Sequence, residues 1–162
     1  MRRGLEFIIG LALFLLAGCE GINCSIENIA SLNIGFYEGV NGKSVTVLDT
    51  LTVTAVGTDS VLFNSGVSVQ SLSLPMSYWK DADTLNITFR DTLSTDYTIT
   101  LRIEKTNQPH YESPDCPTTM FHEIKSLTLL TENPVVDSVV MASPMVNFKK
   151  LENVKIYLHT TP

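Results

Sequence analysis

Tyr97-Thr98-Ile99-Thr100-Leu101-Arg102-Ile103-Glu104 alternates apolar and polar residues without a break. Successive side chains of a strand point to opposite faces. The pattern therefore turns Tyr97, Ile99, Leu101 and Ile103 towards a core and leaves Thr98, Thr100, Arg102 and Glu104 in water. Shorter runs repeat the theme. Leu32–Phe36 alternates; Val45, Val47, Leu51 and Val53 share one face opposite Thr46, Thr50, Thr52 and Thr54; Leu85, Ile87 and Phe89 alternate with Thr84, Asn86, Thr88 and Arg90. Val61 with Phe63, Val67–Val69, Ile124–Leu130, Val135–Met141 and Val154–Leu158 complete the set. Turn chemistry separates the runs at Val40-Asn41-Gly42-Lys43, Asn64-Ser65-Gly66, Lys80-Asp81-Ala82-Asp83 and Asn107-Gln108-Pro109. Asn147–Asn153 is the one stretch that suits a helical turn. About eight strands, each with an apolar and a hydroxyl-rich face, predict an all-β domain of antiparallel sheets. The expected architecture is a β-sandwich of immunoglobulin-like or related topology, with a small open barrel as the alternative.

Ahead of these runs the chain changes character. Arg2 and Arg3 precede the apolar segment Phe7–Leu16, and Ala17, Gly18 and Cys19 follow it. Basic start, short apolar stretch and small-residue site make a signal peptide; the apolar run is about half the roughly 20 residues that span a bilayer. Leu16-Ala17-Gly18-Cys19 resembles a bacterial lipobox. The resemblance implies a diacylglycerol on the Cys19 thiol and cleavage before that residue. It divides the chain into a lipoprotein signal peptide (1–18), a lipidated tether (19–31) and a single β-sandwich domain (32–162). Each buried methylene contributes about 0.8 kcal/mol, so two or more acyl chains anchor stably. An ordinary signal peptide with a free Cys19 is the alternative. With Cys19 used, Cys24 and Cys116 remain of the three cysteines. An even remainder in an oxidising compartment suggests a disulfide, closing a loop of about 90 residues; two buried thiols are the other possibility.

The net charge is −6, with no basic block. Nucleic acid, bound chiefly through phosphate neutralisation, is not an expected partner, and neither is electrostatic docking on anionic lipid. His110, His122 and His159 are scattered, and His122-Glu123 lacks the second histidine of a zinc-binding H-E-x-x-H. Gly66-Val67-Ser68-Val69-Gln70 fails as a nucleophile elbow, and Asp81-Ala82-Asp83 lacks the glycine and glutamate of a calcium loop. No catalytic residue, metal or cofactor is expected. The reading is a non-catalytic binding or structural module, whose partner would be an outer-membrane or periplasmic protein. The alternative is carbohydrate capture on Trp79, which follows Tyr78 in a turn after Pro75; such a pair also commonly packs over the end of a sandwich. A hydrolase built from convergent carboxylates is the third class.

Leu16–Cys19, Cys24, Leu72-Ser73-Leu74-Pro75, Tyr97–Ile103, Ser113-Pro114-Asp115-Cys116 and Asp137-Ser138-Val139 together resemble a family of small Bacteroidota lipoproteins with no assigned activity. That resemblance implies an envelope location and an all-β fold. Glu20-Gly21-Ile22-Asn23 is not the acidic run that resembles a surface-export signal in these bacteria. The periplasmic face of the outer membrane is therefore the expected location.

One tripeptide recurs: Asp49-Thr50-Leu51, Asp59-Ser60-Val61, Asp83-Thr84-Leu85, Asp91-Thr92-Leu93 and Asp137-Ser138-Val139. Composition alone would give about one such triplet. It resembles the O-glycosylation acceptor of exported Bacteroidota proteins, which would place glycans among Thr50, Ser60, Thr84, Thr92 and Ser138. Ordinary strand grammar, with Asp-Thr at an entrance and the next aliphatic turned inward, gives the same pattern.

Overall fold

The computed structural model describes residues 24, 29–39, 42–90, 96–114, 116–131 and 135–159. It is a β-sandwich. Strands β1 (Leu32–Glu38), β4 (Ser71–Leu74), β8 (Val136–Met141) and β10 (Val154–Leu158) form one sheet in the order β4-β1-β10-β8. Strands β2 (Thr50–Ala55), β3 (Ser60–Gly66), β5 (Ala82–Arg90), β6 (Tyr97–His110), β7 (Thr119–Leu129) and β9 (Met145–Val146) form the other, ordered β3-β2-β5-β6-β7-β9. The expected sandwich is thus the observed architecture.

Alternation accounts for the core. Leu32, Ile34 and Phe36 from β1 and Val154 and Ile156 from β10 face Leu51, Val53, Ile87, Phe89, Ile99, Leu101 and Ile103 from the larger sheet, all fully or almost fully buried. Phe36 and Phe89 meet edge to face across the two sheets, with ring centroids 6.3 Å apart, the geometry aromatic quadrupoles favour. Val47, Leu51 and Val53 lie inward as their shared parity requires, although the run is broken. Val47 makes only an isolated bridge to Val69, and β2 starts at Thr50. On the outer face of β1, a Cβ on Gly35 would collide with the Glu152 carboxylate. That absence lets Glu152 reach the Tyr37 hydroxyl, which donates to it at 2.9 Å.

Four readings need correction. Asn107-Gln108-Pro109 is not a turn, because β6 runs through it to His110. There β6 has β7 on one side only, the setting in which a strand tolerates proline. Asn147–Asn153 is not helical: a turn closed by Lys150 N–H donating to the Asn147 carbonyl (3.3 Å) leads into an extended segment. Asn64–Gly66 lies inside edge strand β3, where Ser65 takes a positive φ of 49° and the register to β2 slips. The sheets are not wholly antiparallel either, since β1 and β10 run parallel in the middle of the smaller one.

Pairing register fixes which strand ends lie together. Leu32 sits opposite Leu74, Ile34 opposite Val154, and Val154 opposite Met141. In the larger sheet Ala55 meets Ser60, Ala82 meets Glu104, and His110 meets Thr119. The start of β1, the β4–β5 loop, the β8–β9 connection and the tip of the β6–β7 hairpin therefore share one end of the sandwich. Cys116 lies in that tip and is bonded to Cys24, with Cα atoms 5.5 Å apart across a sequence separation of 92.

Replacing both Cys24 and Cys116 by serine lowers stability by about 4.6 kcal/mol in the chain-entropy picture. The shift is read from urea denaturation midpoints of the oxidised protein and the double variant.

Candidate functional site

β6 is 14 residues long and β5 is nine. Beyond Glu104, β6 therefore projects with β7 as its only strand partner. Its inward parity continues: Ile99, Leu101 and Ile103 are followed by Lys105, then Asn107. β7 makes its own adjustment. Its register slips between Glu104↔Ser126 and Lys105↔Ile124, so Lys125 is the extra residue of a bulge. The bulge switches the inward set from Leu129 and Leu127 to Ile124 and His122. Three polar side chains, Lys105, Asn107 and His122, thus reach the inner face of the overhang.

The β4–β5 loop, residues 75–81, covers them. The Lys105 backbone N–H donates to the Asp81 carbonyl at 2.8 Å. The Lys105 side chain has no exposure. Its Nζ donates to the Ser77 carbonyl (2.5 Å), the Lys80 carbonyl (2.8 Å) and Asn107 Oδ1 (2.7 Å), with Asp83 Oδ2 at 3.6 Å. An ammonium carries three N–H donors and no acceptor, and here each finds an oxygen. Asp83 Oδ2 also accepts from the Ser77 N–H at 3.0 Å, and Asn107 Nδ2 donates to the Lys80 carbonyl at 3.0 Å. Burial pushes the Lys105 pKa down, and the Asp83 and Asp81 carboxylates push it back up. The amine is spent on oxygens already in place, so the arrangement is a clamp on the loop and leaves no free nucleophile.

His122 completes the cluster. Its ring contacts Asn107 Oδ1 through Nδ1 at 2.8 Å. That oxygen is an acceptor, so Nδ1 carries the proton and Nε2 is bare. Nε2 is buried with no hydrogen-bond partner. Burial first, and the Lys105 charge second, lower the His122 pKa from 6.5 to about 4. The Tyr78 ring lies 6.2 Å from the imidazole.

What the clamp presents is Trp79. It is 89% exposed, whereas Tyr78 beside it is 47% exposed. Tyr78 leans on the cluster, but Trp79 does not pack over the sandwich end. The larger cavities are lined without it. The biggest described, about 440 Å³, lies at the opposite end, between Glu38, Lys43, Leu158 and His159. Another of about 270 Å³ runs between the β2–β3 turn and the covering loop, past Met76, Lys80 and Asp83.

The remaining expected positions do not converge. Cys19 and Thr92 lie outside the described residues. Thr50 opens β2 half-buried, Thr84 is half-buried within β5, and Ser60 and Ser138 are exposed on β3 and β8. The aliphatic partner turns inward at Leu51, Leu85 and Val139, but Val61 is 57% exposed. His110 stacks on Phe121 at 4.2 Å between centroids, and His159 Nε2 pairs with Asp137 Oδ1 at 2.9 Å. Among the described residues no group of three or more His, Cys, Asp or Glu side chains could hold a metal ion. Sequence reasoning treats His122 as one of three scattered histidines and Asn107 as a turn residue, and passes over Lys105. The signal was the parity of β6: continued two steps past Ile103, it places Lys105 and Asn107 inward.

Lys105→Met takes the ammonium donor from the Ser77 and Lys80 carbonyls and the counter-charge from the largely buried Asp83. It destabilises by about 3 kcal/mol, as breaking a buried ion pair does, and urea denaturation reads it. His122 gives a pH signature. The unfolded chain protonates it near 6.5 and the folded chain only near 4. Its contribution is complete above pH 6.5 and is lost as pH falls towards 4, by up to about 3 kcal/mol. His122→Gln, a neutral donor, flattens that part of the stability–pH curve.

No curated protein and no solved structure matches the chain significantly. A family model does match residues 50–158, from the first residue of β2 to the last of β10, leaving β1 and Cys24 outside. The chain belongs to the family of unknown function DUF6452.

Proposed function

We propose that this protein is a lipid-anchored, non-catalytic β-sandwich module of the bacterial cell envelope, which binds or supports an outer-membrane or periplasmic partner. The observation that carries the reading is the Cys24–Cys116 disulfide. It uses both cysteines left over when Cys19 is acylated, and such bonds persist in oxidising compartments. The signal-like segment and the lipobox-like Leu16–Cys19 supply the route and the anchor. The buried Lys105–Asn107–His122 cluster supports a scaffold role, because the Lys105 ammonium and the Asn107 amide are engaged in holding a loop. The rival role, carbohydrate capture, draws on the exposed Trp79 ring, yet Trp79 lines none of the described cavities.

Intact-mass measurement of the protein from its native host tests the anchor. The expected species begins at Cys19, carries diacylglycerol and is two hydrogens lighter than the reduced form. A chain recovered in the soluble fraction with unacylated Cys19 sinks the reading. Peptide mapping in the same experiment reports glycans. Unmodified peptides at Thr50, Ser60, Thr84, Thr92 and Ser138 remove glycosylation and leave the anchor untouched.

A further inference from the structure

The disulfide does more than close a loop: it limits which end of the sandwich an anchor on Cys19 could reach. Cys19 and Cys24 lie five positions apart, a reach of at most about 18 Å. Cys24 is fixed to the β6–β7 tip. β6 has 14 residues and extends about 46 Å at roughly 3.3 Å per residue. An anchor on Cys19 can therefore hold the tip end against a membrane and cannot bring the opposite end to it by the same tether.

The surface at the tip end suits that contact. Among the described residues every exposed aromatic is there: Trp79 (89%), Tyr111 (66%) and Tyr78 (47%). Ile29 and Leu151, also exposed, join them ahead of β1 and β10. Lys80, Lys149 and Lys150 are exposed at this end, but so are Asp59, Asp81 and Glu112. Exposed aliphatic side chains also stand at the opposite end, at Leu48 and Val67, so what sets the tip end apart is aromatic rather than electrostatic or merely apolar. Tryptophan and tyrosine prefer the headgroup level of a bilayer, where a ring has one apolar and one wet side. The Lys105 clamp holds the two carbonyls that flank Tyr78 and Trp79, so the backbone that carries the ring is fixed before contact.

We propose that the tip end is a membrane-contact surface, with Trp79 and Tyr111 seated in the headgroup–acyl boundary of the bilayer to which Cys19 is anchored. This rests on the lipid anchor proposed above, and the test separates the two. Trp79 is the single tryptophan, so its fluorescence is an unambiguous probe. The lipidated protein from its host is incorporated into phosphatidylcholine vesicles with and without bromine on the acyl chains, then floated on a density gradient. In the floated fraction Trp79 emission is expected to shift to the blue and to lose most of its intensity with brominated lipid. A second variant moves the probe: Trp79→Phe with Leu48→Trp puts it at the opposite end, where Leu48 is 78% exposed. Its emission is expected to be the same in both lipids.

Each other outcome overturns the proposal in a distinguishable way. Flotation with Trp79 red-shifted and unquenched keeps the anchor and removes the contact. Quenching of the Leu48→Trp probe reverses the orientation. A protein that does not float loses the anchor and the contact together. A soluble glycan that shifts Trp79 emission without lipid, while vesicles leave it unchanged, assigns the ring to carbohydrate.

Discussion

The buried ammonium of Lys105 is the interaction on which one end of this sandwich depends. A strand that outgrows its neighbour exposes a row of backbone groups and an uncovered inner face. β6 does this beyond Glu104, where β5 has not yet begun. An apolar side chain at 105 would cover the face but could not hold a loop of backbone carbonyls in a dry place. The ammonium does both. Its stem continues the line of Ile99, Leu101 and Ile103, and its head gathers Ser77, Lys80 and Asn107. Desolvation opposes the charge, but its three donors are satisfied and a carboxylate stands at 3.6 Å.

A second buried polar residue repeats the device between the sheets. Asn153 Oδ1 accepts from the Asn33 N–H at 3.0 Å, and its Nδ2 donates to the Ser143 (3.1 Å) and Met145 (2.9 Å) carbonyls. Residues 33 and 153 belong to the β1 and β10 side, whereas Met145 begins β9 in the opposite sheet. Asn153 thus ties one sheet to the edge of the other at the same end as Lys105. Both connectors sit where loops cross from sheet to sheet, and loop carbonyls there have no ladder partner of their own. β1 shares in this. It lies between β4 and β10, so without it both would lose a neighbour in the smaller sheet. It is also the strand that the Cys24 tether precedes, and it stands outside the matched family region.

How much of this was legible in the sequence follows from what period-2 patterning can carry. It reports faces, so Leu32–Phe36, the odd positions from Val45 to Val53, Leu85–Phe89 and Tyr97–Ile103 were readable, and with them the sandwich. It does not report partners. The parallel pairing of β1 with β10 joins the two ends of the domain, and nothing local encodes that. Short elements escaped as well. Ser71–Leu74 and Met145–Val146 are too brief to show a period, though the first buries Leu72 and Leu74 fully. Proline and asparagine at 107–109 were read as punctuation because propensity describes an average strand, not an overhanging one. The polar cluster was hidden by the same habit: Lys105 ended the apparent pattern by polarity while continuing it by position.

The recurring Asp-hydroxyl-aliphatic triplet shows where core packing stops being a sufficient explanation. At Thr50-Leu51 and Thr84-Leu85 the aliphatic residue is buried, and at Ser138-Val139 it packs against the core. A sheet requires an inward aliphatic beside an outward polar residue at such places, so folding alone accounts for these residue types. Ser60-Val61 is different. Asp59 takes a positive φ of 51° in the β2–β3 turn, Ser60 opens an edge strand, and Val61 is 57% exposed. No core contact demands the valine there. Thr50 and Thr84 are half-buried in paired strands, whereas Ser60 and Ser138 are both exposed on edge strands. Packing therefore accounts for the aliphatic residue at three of the four described triplets, whereas at the exposed Val61 the β-branched side chain answers to strand propensity alone.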